Sequence, residues 1–513
     1  MKKNHKNHPK IMFFSILLLI SIGIGLLTNI NNAKALIGEV LYEDPNWFFN
    51  GNTSGTKMGS AVSGVGDVNG DGNPDVLVGA ELYQSAIDKE GAAFLFLSSG
   101  GGLPGVPDWS FFGGQQGSHL GCVLTGIGDL NKDGSEDIAI SACEHNIEVD
   151  GEVNKSKVGA VYVFHGSPSF ILSTQPDWTF IGDQVEAYVG SALSSAGDIN
   201  HDGYSDLLIS APGYDTLDEL GDPILTNNGK VYLFFGSADG LSQVPNWTAE
   251  GIYNAEKFGS AVTSADIDND GDSDVIIGAP RPTNKGSVYV YKNNDGVLSS
   301  TPKILLHNQT EAQFGAKLTG VGDVNKDGFE DVVIGAPNFK ELIDLNVVSV
   351  GCVYFYSGSP TGLPDTPDKE ICGTFPNGKL GASIAAAGDM DGDGFDDFLV
   401  GAPDFSDIND DSGEEQQGAV FLFFGTAKDS NPPNVRSDVD SAFGGKADTD
   451  FGIAISSIGD VNGDNRLDII VGAPDYKVGG IRPGRAMAYF AGIPGIPDYE
   501  IFPVYLPLVT TGN

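Results

Sequence analysis

Short apolar runs recur along this chain, and each belongs to one of four types. The first is a β-branched run stopped by Gly-Ala-Pro or a close variant, as in VVIGAP (332–337), which reads as a strand. The second alternates small or aliphatic residues with aromatics: AAFLFL (92–97), AVYVFHG (160–166), KVYLFFG (230–236), SVYVYK (287–292), CVYFYSG (352–358), AVFLFFG (419–425) and AMAYFAG (486–492). The third follows a proline, in PDWSFFGG (107–114), PDWTFIGD (176–183) and PNWTAEG (245–251), and leads into the next unit. A further apolar run precedes each Gly-Ala-Pro strand, as in FGAKLTGVG (314–322). The pattern predicts four short strands per unit of about 60 residues, seven times over, and hence an all-β, seven-bladed β-propeller. Trp47, Trp109, Trp178 and Trp247 recur at the same period and are expected to pack between blades rather than stack a ligand.

Between the first two strands of every unit lies a compact array of oxygen ligands, as in Asp323-x-Asn325-x-Asp327-Gly328-x-x-Asp331. Oxygen-bearing side chains at positions 1, 3, 5 and 9 converge on a hard cation, with a backbone carbonyl from position 7. Glycine at position 6 permits the left-handed turn. An EF-hand needs a bidentate Glu at position 12 and flanking helices, whereas position 12 here is Ile334, inside a strand. One such loop alone reads as easily as an Asx-rich surface turn. Seven copies in register favour a metal-tied hairpin.

First positions are Asp67, Asp129, Asp198, Asp266, Asp323, Asp389 and Asp460. Third positions are Asn69, Asn131, Asn200, Asp268, Asn325, Asp391 and Asn462. Fifth positions are Asp71, Asp133, Asp202, Asp270, Asp327, Asp393 and Asp464. Ninth positions are Asp75, Asp137, Asp206, Asp274, Asp331, Asp397 and Asp468. Position 7 offers its carbonyl from Asn73, Ser135, Tyr204, Asp272, Phe329, Phe395 and Arg466. The expected ion is Ca2+, up to seven per chain.

The pattern FG…GD-x-N-x-DG-x-x-D…GAP, in 258–280, 314–337 and 451–474, resembles the FG-GAP repeats of the integrin α-chain N-terminal propeller. The resemblance covers about 41–502. It implies seven blades, calcium in the strand 1–2 hairpins, and adhesion through the opposite face. Two departures stand out: integrin propellers carry the cation loop in only some blades, and blade 7 has Asn465 where the others have Gly. Asn visits the left-handed region, so the turn is still expected.

Charge then narrows the function. The net charge of −41 excludes nucleic acid as a partner, since nothing neutralises phosphates. Asp side chains of the cation loops account for 23 of the 69 acidic residues. Lys2, Lys3, Lys6 and Lys10 precede a continuous apolar run at 11–27, and Ala33-Lys34-Ala35 offers a cleavage site. This predicts a signal peptide (1–35) cleaved after Ala35, a propeller (36–502) and a tail (503–513), secreted or held at the cell surface with no membrane span after cleavage. A retained anchor is the alternative. Four Cys in an exported chain predict disulfides, and spacing favours Cys122–Cys143 and Cys352–Cys372, each within one blade. The sequons Asn52, Asn154, Asn246 and Asn308 are glycoprotein sites if the host glycosylates.

No catalytic constellation emerges. The histidines beyond the leader, His119, His145, His165, His201 and His307, are scattered over separate repeats, without H-E-x-x-H or a G-x-S-x-G elbow. The expected role is an adhesion or binding module for a protein or glycan ligand, not an enzyme. The alternatives are a hydrolase of the type in which similar repeats accompany a phospholipase D, and a structural surface-layer component. In a four-strand meander the cation loops and strand 3–4 turns share one face. The long loops 143–158, 213–229 and 404–418 fall on the other, where variable loops on a rigid scaffold carry recognition. PNWFFNG (45–51) is expected to close blade 7, with IPDYEIF (496–502) as the rival for that place.

Overall fold

The computed structural model describes residues 45–168, 172–281, 284–343, 346–406, 417–427, 441–444 and 449–491, with 441–444 described by backbone alone. The leader, the rival strand at 496–502, the tail and most of the 404–418 loop lie outside these residues. Within them the chain is all β: seven antiparallel four-stranded sheets radiate as the blades of a propeller, with four small hairpins added.

Blade 1 shows the plan. Met58–Gly66, Asp75–Ala80, Ala92–Phe96 and Trp109–Phe112 pair in chain order. The innermost strands of the other blades are Leu120–Gly126, Leu193–Gly197, Ala261–Ala265, Lys317–Gly322, Ser383–Gly388 and Ala454–Gly459, and each touches its neighbours all the way round the axis. The second strand of every blade is buried along its whole length, as in Asp331–Ala336. A strand covered on both faces has no polar side to show, which is why VVIGAP reads as an unbroken apolar run.

Seven hydrophobic clusters form the core, each straddling two adjacent blades. Trp47, Ile458 and Ile470 of blade 7 meet Val76, Val78, Phe94 and Phe96 of blade 1. The recurring tryptophans stand at these interfaces. Trp109 lies edge-on to Phe164 and donates its indole N–H to the Ser173 carbonyl in the next blade (3.1 Å). Trp178 does the same with Phe234 and Ser242.

The ring closes through the N-terminal strand. Trp47–Asn50 pairs with Arg485–Tyr489 to complete blade 7. The closure is further held by the Lys57–Asp475 ion pair (2.8 Å). Both disulfides have the expected pairing. Cys352 and Cys372 face each other on the third and fourth strands of blade 5.

The glycines of the repeat signature have a packing cause. A Cβ on Gly472, in the Gly-Ala-Pro of blade 7, would come 2.0 Å from the carbonyl oxygen of Gly59 in blade 1. Gly278 meets Gly315, and Gly401 meets Gly452, in the same way. At five junctions the glycine that opens one blade therefore lies against the glycine near the end of the second strand of the blade before it, and at the other two Gly190 meets Ser141 and Gly259 meets Ser210.

The face opposite the cation loops carries the strand 2–3 connections. Three of them rise as hairpins: Ile147–Val149 with Glu152–Lys155, Thr216–Leu217 with Pro223–Leu225, and Lys340–Ile343 with Asn346–Ser349. The first two lie in the expected long loops. The third was not singled out from the sequence.

Candidate metal centres

Six of the ninth-position aspartates are the first residue of the second strand, Asp137 immediately precedes its strand, and all seven are fully buried. Each accepts a backbone N–H from the end of the third strand. Ser98 serves Asp75, Gly166 serves Asp137, and Gly236 serves Asp206. Asn293 serves Asp274, Gly358 serves Asp331, Gly425 serves Asp397, and Ala491 serves Asp468. These bonds span 2.7–2.9 Å and tie the cation loop to the strand 3–4 turn on the same face. In six blades the other carboxylate oxygen accepts the N–H of loop position 2, as Val324 to Asp331 at 3.1 Å.

The rest of the loop winds round the first aspartate. In every blade the N–H of position 6 donates to its Oδ2, from 2.6 Å at Gly72 to 3.0 Å at Gly271. Position 6 has positive φ throughout, and Asn465 takes the place of glycine at φ 65°. The N–H of position 7 donates to the fifth-position Asp in all seven loops. Carboxylate oxygens that accept one N–H keep a second lone pair, so this scaffold leaves each of them able to ligate an ion.

Third positions behave in three ways. In five blades their Oδ1 accepts the N–H of position 5, as Asn69 from Asp71 at 2.9 Å. In blade 4 the Lys292 ammonium is bonded to Asp268. In blade 5 the Asn325 amide donates to Asp331 (3.2 Å) and its own Oδ1 is buried without a partner. Where the third residue is Asp, three carboxylates gather within 4.8 Å: Asp266, Asp268 and Asp270, and again Asp389, Asp391 and Asp397.

Burial sets the electrostatics. It pushes the carboxyls of Asp75, Asp137, Asp206, Asp274 and Asp468 up to about 7, and those of Asp331 and Asp397 to about 8. Backbone hydrogen bonds oppose this, while neighbouring loop aspartates reinforce it. Asp274 Oδ2 and Asp268 Oδ1 are buried with no hydrogen-bond partner. All-oxygen donors, crowded carboxylates and orphaned buried oxygens fit a hard divalent cation.

Sequence reasoning missed what links one loop to the next. Six blades place a glycine at positive φ immediately before the first Asp, and the residue at loop position 8 of the following blade packs over it. Gly66 lies under Glu136, and Gly459 under Pro74 across the closure. Blade 4 has Ala265 there and lacks the bulge that interrupts the pairing in blades 1, 3, 5, 6 and 7. Side chains bridge loops as well. Lys132 lies over the Tyr204 ring (4.3 Å), Lys326 over Phe395 (4.4 Å), and His201 Nε2 reaches Asp272 (2.6 Å). The doublet Gly-Asp was the available signal in the sequence.

A family model described as FG-GAP repeat matches residues 58–95, 189–234, 258–291, 314–356, 380–423 and 451–485, which are blades 1 and 3 to 7. Blade 2, outside the match, has Leu120-Gly121-Cys122 and Ser141-Ala142-Cys143 in place of the two halves of the signature. The chain is similar to integrin alpha-3 of Cricetulus griseus, 31% identical over 233 residues, or 43% of this chain and 20% of that protein. It is 30% identical to integrin alpha-6 of Homo sapiens over 237 residues, 44% of this chain and 19% of the relative. Against integrin alpha-5 of Xenopus laevis the figures are 33% over 240 residues, 45% and 21%. The chain thus spans about a fifth of the length of these curated relatives.

Proposed function

Since this chain is an FG-GAP repeat protein similar to integrin alpha chains, we propose that it is an exported, calcium-stabilised binding module for a protein or glycan ligand in adhesion. Up to seven Ca2+ ions are held by the side chains at loop positions 1, 3, 5 and 9 and the carbonyl at position 7. The ligand docks on the opposite face. The observation that carries this reading is the division of labour between the faces. One face repeats a single hydrogen-bonded loop seven times, while the other bears hairpins of unequal length in three blades. A rigid, metal-tied base under variable loops is the arrangement that recognition needs. Among the described residues no helix is long and apolar enough to cross a membrane.

The chain, immobilised in calcium and exposed to extract of its native surface, is expected to retain a partner that chelation releases. Shortening the hairpins within 143–158, 213–229 and 337–351 together should abolish retention without lowering the melting temperature. Retention that survives those deletions and is lost after substitutions around the cation loops contradicts the assignment of faces.

A further inference from the structure

Each blade is entered by a connection from the outer strand of the blade before it. Six residues ahead of the glycine that opens the blade, this connection carries Thr53, Gln115, Gln184, Tyr253, Gln309 and Phe375 in blades 1 to 6. Glutamine holds the position in blades 2, 3 and 5, the three whose strand 2–3 connections rise as hairpins. All three glutamines are half-buried and make the same pair of bonds. Gln115 Nε2 donates to the Asn146 carbonyl (3.0 Å), and its Oε1 accepts the Asn146 N–H (2.7 Å). Gln184 does the same with Asp215 (2.9 and 2.5 Å), and Gln309 with Lys340 (2.8 and 2.6 Å). Asn146 and Asp215 immediately precede their hairpins, and Lys340 is the first residue of its own. The separation is 31 residues each time, so one geometry is reused rather than three contacts arising singly.

A primary amide carries an acceptor and a donor side by side, so it closes on the N–H and C=O of one residue as a neighbouring strand would. In the other blades the position turns elsewhere. Tyr253 lies under the Arg281 guanidinium (4.1 Å), Phe375 meets the Phe405 ring (4.4 Å), and Thr53 bonds Asn52. The return leg of the strand 2–3 connection is held alike with or without a hairpin. A backbone N–H of the next connection donates to it: Glu186 to Ser156, Ala255 to Thr226 and Asn377 to Ser349 in the hairpin blades, and Gly117 to Asp88 and Glu311 to Asn284 in blades 1 and 4. The glutamine is therefore what the hairpin blades add. Beyond their bases the hairpins stand in solvent, with Val149, Val153, Leu220, Ile224, Leu342 and Val347 all exposed. Packing does not fix their direction, which leaves that task to the bonds at the base.

We infer that Gln115, Gln184 and Gln309 are positioning residues of the recognition face: each amide clamps the outgoing leg of one hairpin and presets the direction in which that hairpin is offered to a partner. A loop already held in one direction loses less freedom on binding. That the hairpins meet a partner rests on the proposed function, whereas the ordering of each hairpin by its amide can be tested without one.

Hydrogen–deuterium exchange of the calcium-loaded full chain, read by peptide mass spectrometry, measures how often each hairpin opens. Gln115→Met, Gln184→Met and Gln309→Met keep the length of the side chain and remove both bonds. Each is expected to speed exchange about tenfold in its own hairpin, to leave the other two hairpins as they were, and to leave the melting temperature unchanged. Gln184→Glu keeps the size and an acceptor but sets a carboxylate oxygen against the Asp215 carbonyl. It should open the blade 3 hairpin as Gln184→Met does, whereas a side chain that only fills space would tolerate the change. Tyr253→Met should move none of the three hairpins. Exchange that no Met variant accelerates overturns the clamp, and so does acceleration spread evenly over all three hairpins by a single substitution. A triple Met variant whose hairpins open but which still retains the partner released by chelation upholds the clamp and counts against the binding-face reading instead.

Discussion

At the scale of single residues, seven aspartates are buried at the cation loops, and Asp137 alone of them has a side-chain cation, His165, within ion-pair distance. Asp274 gives the sharpest test, because its Oδ1 accepts the Asn293 N–H at 2.7 Å while its Oδ2 has no partner. Asp274→Asn keeps the acceptor and removes the buried charge. In calcium the variant should melt below the parent, losing about 2.7 kcal/mol if the site is a hundredfold saturated. In chelator the order should reverse or the difference vanish, because no cation then rewards the carboxylate. The same ranking of the two proteins in both buffers contradicts a metal role for Asp274. The signature glycines make a second residue-level prediction. Gly472→Ala sets a Cβ against the Gly59 carbonyl, a backbone atom that cannot swing away. Urea unfolding should show a loss of about 1–3 kcal/mol, the usual cost of overpacking. An unchanged midpoint would mean that the blades do not meet as described.

Among elements, the strands that face two neighbours were the legible ones. Second and third strands lie deep between blades, so their residues are continuous or aromatic-rich runs that stand out in any unit. Outer strands are half-exposed and carry little pattern. Lys369–Cys372 and Ser441–Gly444 lack the tryptophan that marked their counterparts at 109, 178 and 247. The hairpin at Lys340–Ile343 and Asn346–Ser349 was missed for a related reason: its exposed Leu342 and Val347 resemble core residues in the sequence. Ring closure was the true ambiguity, since PNW at 45–47 and PDY at 497–499 offer the same signal. Trp47 is almost wholly buried against Phe96 and donates its indole N–H to the Pro104 carbonyl (2.7 Å), which commits the N-terminal segment to blade 7. Deleting residues 45–52 should therefore lower the melting temperature strongly, while truncation after Gly495 should leave it nearly unchanged. The opposite ranking of the two truncations, measured by calorimetry, would assign the closing strand to the other end.

For the whole molecule, stability is a property of the ring. The seven cores lie between blades rather than within them, so no blade buries its own faces alone. The cation loops sit where the interfaces meet, with position 8 of each blade packed on the first-ligand segment of the blade before it in six of the seven junctions. That arrangement was only partly legible. The spacing of Asp and Asn displays the ligands, because metal chemistry fixes residue types at fixed places. The contacts that pass from loop to loop depend on the angle between blades, which no local pattern encodes. Metal bound in one loop should thus steady its neighbours, and removal of all the ions should loosen the ring as a unit. The most direct test is the melting curve of the full chain in millimolar calcium, the range in which extracellular modules bind, and again after chelation. The melting temperature should fall clearly on chelation, by an amount that grows with the number of occupied loops, and recover fully when calcium is returned. Superimposable curves in the two buffers would contradict it.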